Sequence, residues 1–286
     1  MSVKIIADSA CDLPREIIEE YDVKALPLRV TIDDQEFKEW EEIKPIEVYD
    51  GMREGKVYKT AQVPLIEFQE LFTSYAQEKQ SCFYIAFSSE LSGTYQAAVM
   101  AKNQVSEEYP EAEIEILDGK CASLGYGLVV YYAVMMAAEG MGMKEIIEKT
   151  EFNARHMEHI FTVDNLDYLY RGGRLSKSAA FVGGILNIKP ILDVEDGKLI
   201  PIEKKKGRKR VLKRIIELME ERGVDLENQL IGISHSDDEE GALKLKEMIK
   251  ERFGAKEFMI HTIGGVIGAH VGPGTLALFF LNQREG

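Results

Sequence analysis

Short apolar runs alternate with polar turns and amphipathic stretches along the first half of the chain. The runs Lys4 to Ala7, Phe83 to Phe87 and Ile114 to Leu117 predict buried strands, and apolar residues at helical spacing predict a helix over 64–79. Strands that alternate with helices are typical of a largely parallel sheet, which we expect to extend to about residue 150.

The segments between these runs carry weaker patterns. Ala25 to Ile32 alternates like a single strand, and the acidic residues from Asp33 to Glu42 predict a solvated hairpin or loop. Lys59 to Pro64 predicts a polar loop ahead of the helix. Cys121 to Ala138 has no charged residue, but its glycines and tyrosines favour a helix buried between layers over a membrane span.

The pattern changes beyond residue 150. His156 to Val163 predicts a strand, Asn165 to Tyr170 predicts a helical turn closed by glycine, and a hairpin is expected across Asp196-Gly197. We therefore predict an α/β protein of two domains. A Rossmann-like parallel sheet with helices is expected over 1–150, and an α+β domain with a mixed sheet over 151–286.

Composition narrows the class of protein. The chain has 286 residues, of which 45% are hydrophobic, and 35 basic against 49 acidic residues give a net charge of −14. This balance argues against general binding to nucleic acid or an anionic membrane, because both need a basic face. Cys11, Cys82 and Cys121 are widely spaced, so neither a disulfide framework nor a zinc site is indicated and no metal is expected. Together with the short apolar stretch at the N-terminus, the cysteines favour a reducing cytoplasm.

The turn after Phe83 to Phe87 is the strongest candidate for a binding site. Ser88 to Thr94 places hydroxyl groups between the strand and a helix that we expect from Tyr95 onward. The carboxyl end of a strand and the start of a helix together favour an oxyanion. The alternative is a capped helix start, in which Ser92 or Thr94 bonds only to its own backbone.

Motifs for nucleotides are absent from the sequence. It contains neither the P-loop pattern G-x-x-x-x-G-K-[ST] nor the dinucleotide fingerprint, so we expect no cofactor and assign any use of ATP to a partner. The pattern G-x-S-x-G is also absent. A serine-dependent acyl hydrolase that uses Ser92 and His270 nevertheless stays open as the alternative function.

Other polar groups each allow two interpretations. His156 and His159 stand three residues apart, but without a fitting third ligand a structural pair is favoured over a metal site. In the tail HTIGGVIGAHVGPG, glycines crowd around His270, which indicates close backbone approach beside one titratable ring. Arg174 follows two glycines and suits a carboxylate or phosphate, or lies on the surface. The basic run from Lys204 to Arg214 is either a solvated helix face or a surface for an anionic partner.

These residues together resemble the DegV family, the fatty-acid-binding subunits that serve a bacterial fatty acid kinase. The similarity runs the whole length of the chain, and the order and spacing of its motifs make it specific. The motifs are Asp8-Ser9-Ala10-Cys11-Asp12-Leu13, Thr60-Ala61-Gln62, Ser88-Ser89-Glu90-Leu91-Ser92-Gly93-Thr94-Tyr95, Leu166-Asp167-Tyr168-Leu169-Tyr170-Arg171-Gly172-Gly173-Arg174, Lys189-Pro190-Ile191-Leu192 and Gly268-Ala269-His270-Val271-Gly272-Pro273-Gly274.

The resemblance implies a cytoplasmic carrier without catalytic residues of its own. It would hold a long-chain fatty acid such as palmitate, with the acyl chain in an apolar tunnel and the carboxylate at the domain junction. By the same resemblance, the hydroxyls of Thr60 and Ser92, with Gly93 beside them, would bind the carboxylate, and His270 and Arg174 would lie near it. Ala61 departs from the family pattern, which usually has a second hydroxyl there, so head-group contacts are expected to be fewer.

The resemblance also implies a partner, a separate ATP-dependent kinase that converts the bound fatty acid to acyl-phosphate. We expect Arg208, Lys209 and Arg210 of the basic run to contact it. Burying roughly 14 methylenes at ~0.8 kcal/mol each contributes on the order of 11 kcal/mol, so the tail can dominate the affinity. A third interpretation is a regulatory module that recognises another protein through Lys204 to Arg214. Binding to nucleic acid and stable membrane insertion are not expected.

Overall fold

The computed structural model describes residues 3–175 and 188–284. The strands in these ranges are β1 (Lys4–Asp8), β2 (Lys24–Leu26), β3 (Arg29–Ile32), β4 (Gln35–Lys38), β5 (Lys59–Ala61), β6 (Cys82–Ala86), β7 (Ile114–Asp118), β8 (Met157–Thr162), β9 (Ile188–Glu195), β10 (Lys198–Lys206), β11 (Leu230–His235), β12 (Glu257–Thr262) and β13 (Leu276–Leu281). The α-helices there are α1 (Arg15–Glu20), α2 (Pro45–Arg53), α3 (Leu65–Glu78), α4 (Thr94–Glu108), α5 (Ser123–Ala138), α6 (Met143–Arg155), α7 (Asp167–Arg171), α8 (Arg208–Arg222), α9 (Glu239–Phe253) and α10 (Gly265–Val271).

The first half contains the predicted parallel sheet. Its four strands lie in the order β2-β1-β6-β7, and each neighbouring pair is parallel. All five residues of β6 are buried, which is why this strand is a continuous apolar run rather than an alternating one. The helices before and after β6, α3 and α4, pack against each other. Phe68 of α3 contacts Tyr84 of β6 with ring centroids 5.1 Å apart.

A separate three-stranded sheet, in the order β4-β3-β5, corrects two predictions. Ala25 to Ile32 is not one strand, because Pro27 divides it into β2 and β3, which belong to different sheets. Lys59 to Pro64 is not only a loop, because its first three residues form β5 and pair antiparallel with β3. Thr60 thereby lies opposite Val30 and is held by a strand.

Of the hairpin or loop expected within Asp33 to Glu42, the structure has the hairpin, which joins β3 to β4. Asp33 and Asp34 form its turn with φ of 48° and 61°, as a two-residue turn with left-handed residues requires. The prediction that this acidic stretch is solvated is wrong at Glu39, which is 1% exposed.

The second half contains the predicted mixed sheet. Its strands lie in the order β10-β9-β8-β13-β11-β12. β11 and β12 pair in parallel, and the other neighbours are antiparallel. The expected hairpin turn Asp196-Gly197 joins β9 to β10, and the expected helical turn is α7, capped by Gly172. The α/β class with a parallel and a mixed sheet is therefore confirmed.

The uncharged segment is a helix between the two larger sheets, as predicted. α5 contacts β1 on one side and β8, β11 and β13 on the other, and eleven of its residues are buried. Gly127 permits this close approach, since a Cβ there would lie 2.3 Å from the carbonyl oxygen of Cys11. Within 3–175 and 188–284, none of the helices has the length and apolar character needed to span a bilayer.

Candidate functional site

A cavity of about 370 Å³ is lined by strands of the three-stranded and the mixed sheet, by α10 and by the turn that follows β6 of the parallel sheet. This volume lies within the range of roughly 300–1,000 Å³ that is usual for small-molecule sites. Most of the wall is apolar and includes Phe87, Leu91, Phe161, Val266, Val271 and Phe279. Polar residues that also line it are Thr60, Gln62, Ser92, Ser123, His159, Arg174, His270 and Thr275. We call one group of lining residues the polar end, because the contacts below link them directly or through Leu91 and Gly172: Thr60, Gln62, Ser92, Gly93, Arg174 and His270.

Thr60 and His270 meet at the polar end from opposite halves of the chain. β5 holds Thr60, and the last turn of α10 holds His270. The Oγ1 atom of Thr60 lies 2.7 Å from Nε2 of His270, a hydrogen bond between residues 210 positions apart. When the proton is on Nε2, His270 donates to Thr60, and the threonine hydroxyl keeps its own proton for a ligand.

His270 is neutral at physiological pH. Burial, together with the nearby positive charge of Arg174, lowers the pKa of its imidazole to about 4. The ring therefore contributes a neutral donor or acceptor instead of a cation.

Arg174 supplies the positive charge at the polar end. Its Nε donates to the carbonyl oxygen of Leu91 over 3.0 Å, and its Nη1 donates to that of Gly172 over 2.6 Å. Burial lowers the pKa of this guanidinium, yet an arginine keeps its proton in proteins. Gly172 also connects Arg174 to His270, because a Cβ on this glycine would lie 2.1 Å from Nδ1 of His270.

The turn before α4 completes the polar end. Ser92 Oγ lies 2.8 Å from Thr94 Oγ1 and accepts from the Thr94 N–H over 3.3 Å. The local bond from a side chain to the backbone that a capped helix start predicts is therefore present. Ser92 and Gly93 nevertheless line the cavity as well. A Cβ on Gly93 would lie 2.1 Å from Oε1 of Gln62, so the turn and the residues after β5 are in direct contact.

All five residues expected at the ligand thus line one cavity, whereas the three expected at the kinase do not. Arg208, Lys209 and Arg210 begin α8. Arg208 is engaged within the chain, because it pairs with Asp238 and its Nη1 donates to the Gly274 carbonyl over 3.2 Å. Lys209 and Arg210 are exposed.

His156 and His159, interpreted from the sequence as a structural pair, each hydrogen-bond to other residues. His156 Nδ1 lies 2.8 Å from Asn282 Oδ1. His159 is buried beside the cavity, where Nδ1 lies 2.9 Å from the Met157 carbonyl oxygen and Nε2 accepts the Ala122 N–H over 3.2 Å. No group of three potential metal ligands occurs within residues 3–175 and 188–284.

The arrangement does not favour the hydrolase alternative. A serine nucleophile needs a base within hydrogen-bond reach and a third group that orients the base. In the described part of the chain, the side-chain hydrogen bonds of Ser92 are with Thr94, and that of His270 is with Thr60.

Sequence reasoning missed two buried carboxyl groups beside the site. Asp12 and Glu39 are each 1% exposed and bond to the backbone N–H groups of Gly264 and Val266 at the start of α10. Asp12 belongs to a motif that supported the family resemblance, so its motif was a signal without an assigned role. Glu39 gave no such signal, because it lies in an acidic run that resembles a solvated loop.

Known proteins of one family match this chain over almost its whole length. The model of the DegV family matches residues 2–283. A DegV domain-containing protein of Clostridium perfringens is 44% identical over 284 residues, covering 98% of this chain and 98% of that one. The solved structure of a fatty-acid-binding DegV family protein from Thermus thermophilus has a TM-score of 0.89 at 28% identity, covering 98% of this chain and 99% of that one. A stearic-acid-binding protein from Eubacterium ventriosum has a TM-score of 0.88 at 26% identity, with the same coverage of 98% and 99%.

Proposed function

The chain belongs to the DegV family, and we propose that it binds a long-chain fatty acid in the cavity described above. The observation that carries this proposal is the division of the lining into a mostly apolar wall and the polar group that includes Thr60, Ser92 and His270. An amphiphile with a single acidic head and an alkyl tail matches that division. The fatty acids bound by the related proteins of known structure support the same class of ligand.

In this proposal the carboxylate lies at the polar end. Thr60 and Ser92 donate their hydroxyl protons to it, Gly93 lets the backbone approach, and His270 orients Thr60 through the 2.7 Å hydrogen bond. Arg174 provides the nearby positive charge. Hydrogen bonds to a charged group contribute about 1.5–3 kcal/mol each, so two hydroxyls are sufficient to fix the head group.

The acyl chain occupies the apolar part of the cavity. Burying roughly 14 methylenes contributes on the order of 11 kcal/mol before the cost of ordering the chain. The tail therefore supplies most of the affinity, and the polar end determines where the carboxylate is held.

We further propose that the bound fatty acid is presented to a separate ATP-dependent kinase, which converts it to acyl-phosphate. The chain has no nucleotide-binding motif of its own. The exposed Lys209 and Arg210 are the proposed contacts, and Arg208 supports them from within the fold. We place the carrier in the cytoplasm, in keeping with the buried free thiols of its three cysteines. We assign residues 1–150 and 151–286 to its two domains, with the ligand at their junction.

The direct test is mass spectrometry of lipids extracted from the purified protein. We expect a long-chain fatty acid in about one equivalent, or stoichiometric uptake when a delipidated sample is given one. A protein that arrives empty and takes up no added fatty acid would refute the proposal.

The hydrolase alternative has its own test. A fluorophosphonate probe should label an acyl hydrolase covalently, and the label should disappear in Ser92→Ala. We expect no labelling of the wild-type chain. Labelling that depends on Ser92 would replace the carrier function with hydrolysis.

A further inference from the structure

The start of α10 is held by the two buried carboxyl groups from the first half of the chain. The Gly264 N–H donates to Asp12 Oδ1 over 2.8 Å, and the Val266 N–H donates to Glu39 Oε1 over 2.8 Å. These pairs are separated by 252 and 227 positions in the sequence. The carboxyl groups therefore tie the helix to the first half of the chain.

The second oxygen of each carboxyl group also accepts a hydrogen bond. Ser123 Oγ donates to Asp12 Oδ2 over 2.5 Å, and Ser9 Oγ donates to Glu39 Oε2. Ser9 is itself fixed, because it accepts the Leu28 N–H over 3.0 Å. Both carboxyl groups are thus also fixed by contacts with residues outside α10.

The position of the helix also depends on packing against α2 and α7 and on the Tyr49 hydroxyl, which donates to the Ile263 carbonyl just before it over 2.6 Å. α10 is seven residues long, and so short a helix depends on contacts made outside it. Carboxyl groups are favourable at a helix N-terminus, where they satisfy free N–H groups and oppose the positive end of the dipole. A Cβ on Gly264 would lie 2.5 Å from Glu39 Oε1 and 2.9 Å from Asp12 Oδ1, so glycine there leaves room for both.

The far end of the same helix carries His270. Its Nε2 reaches Thr60 Oγ1, and Val266, Ile267 and Val271 of α10 line the cavity. A shift of the helix start would therefore move the imidazole away from the threonine.

We propose that Asp12 and Glu39 are positioning residues for the polar end of the cavity. They fix α10 so that His270 lies within hydrogen-bond distance of Thr60, although neither carboxyl group touches the ligand. This inference rests on the proposed function, because it concerns the binding of a fatty acid carboxylate. It assigns a role to two side chains that lie outside the cavity wall.

The test compares two ligands that share a tail and differ in the head group. The dissociation constants of a long-chain fatty acid and of the matching fatty alcohol are measured for wild type and Glu39→Gln. Glutamine keeps the shape, but its amide nitrogen cannot accept the Ser9 hydroxyl as Oε2 does, so we expect binding of the acid to weaken about fivefold, with less than about a twofold change for the alcohol. Glu36→Gln, at an exposed glutamate in neighbouring β4, is the matched control and should change neither value.

A double-mutant cycle tests the connection through His270 to Thr60. In a Thr60→Val background, Glu39→Gln should cause little further loss of acid binding, because the hydroxyl it positions is already absent. Gly264→Ala is the second variant. It keeps both carboxyl groups but displaces them, and it should reproduce the selective loss for the acid.

The outcomes separate the two proposals. Equal weakening of acid and alcohol in Glu39→Gln and Gly264→Ala, or fully additive losses in the cycle, would overturn the positioning role and leave the carrier function intact. A wild-type chain that binds neither ligand would overturn the proposed function and this inference with it.

Discussion

Replacing Thr60 with valine removes one hydroxyl from the polar end and keeps the volume and β-branching of the side chain. Thr60 lies in β5, where a β-branched residue is well suited, so the strand should persist. The substitution removes the donor to the carboxylate and also leaves His270 Nε2 without its 2.7 Å partner. A hydrogen bond to a charged group contributes about 1.5–3 kcal/mol, which corresponds to about 10- to 150-fold weaker binding.

The assay is a set of dissociation constants for saturated fatty acids of increasing chain length. Each buried methylene contributes about 0.8 kcal/mol, or about a fourfold change in affinity. Thr60→Val should weaken binding of every chain by the same factor, because the tail wall is untouched. A plot of the logarithm of affinity against chain length should therefore shift without a change of slope.

Thr31→Val is the control for this prediction. Thr31 lies on the neighbouring strand β3, opposite Lys59, and does not line the cavity. It should leave the plot unchanged. Equal affinities for wild type and Thr60→Val would refute the head-group assignment, and a changed slope would show that the substitution acts through the tail.

Three further predictions concern the buried histidine, the exposed basic residues and the cavity wall. Burial lowers the pKa of His159 from 6.5 to about 4, so the folded protein binds this proton less readily than the unfolded chain. The contribution of neutral His159 to the free energy of unfolding is complete above pH 6.5 and is lost as the pH falls toward 4. Denaturant titrations should show that His159→Gln reduces this acid-induced loss by about 3 kcal/mol. A pH profile of stability parallel to that of wild type would contradict the assignment. Lys209→Glu with Arg210→Glu should lower phosphorylation by the proposed kinase partner while lipid binding survives, and unchanged turnover would remove these residues from the proposed partner surface. Ala277→Phe places a ring in the cavity, so the variant should no longer take up the longest fatty acids. A thermal scan should show that it is still folded. Undiminished uptake would contradict the assignment of this space to the tail.

The periodicity of the sequence was sufficient for the main architecture because the pattern and the burial agree there. β6 is a continuous apolar run with both faces covered, and α5 is uncharged because it lies between two sheets. The prediction failed where pairing overrides local character. β5 is polar and three residues long, and it is a strand because β3 lies beside it.

The candidate site was predictable residue by residue but not as a geometry. The family resemblance implied that Thr60 and His270 lie near the same head group, but neither periodicity nor spacing predicts their direct contact across 210 positions. The same limit explains Glu39. Its burial follows from contacts with Ser9 and Val266, and composition alone does not predict contacts between residues so far apart in the sequence.

The charges at the polar end affect whether a bound carboxylate could still react with the proposed kinase, and not only how tightly it is held. A carboxylate enclosed by several cations would be held tightly, but it would lose much of its capacity to attack a phosphoryl group. Here the imidazole of His270 is kept neutral by burial, the remaining donors are hydroxyls, and Arg174 is partly occupied by the carbonyl oxygens of Leu91 and Gly172. Since the tail supplies most of the proposed affinity, the polar end can hold the head group with few donors and leave its charge available. Substitutions at the polar end should therefore lower the proposed phosphorylation by more than their weaker retention of fatty acid accounts for, whereas substitutions in the apolar wall should lower it only as far as retention falls.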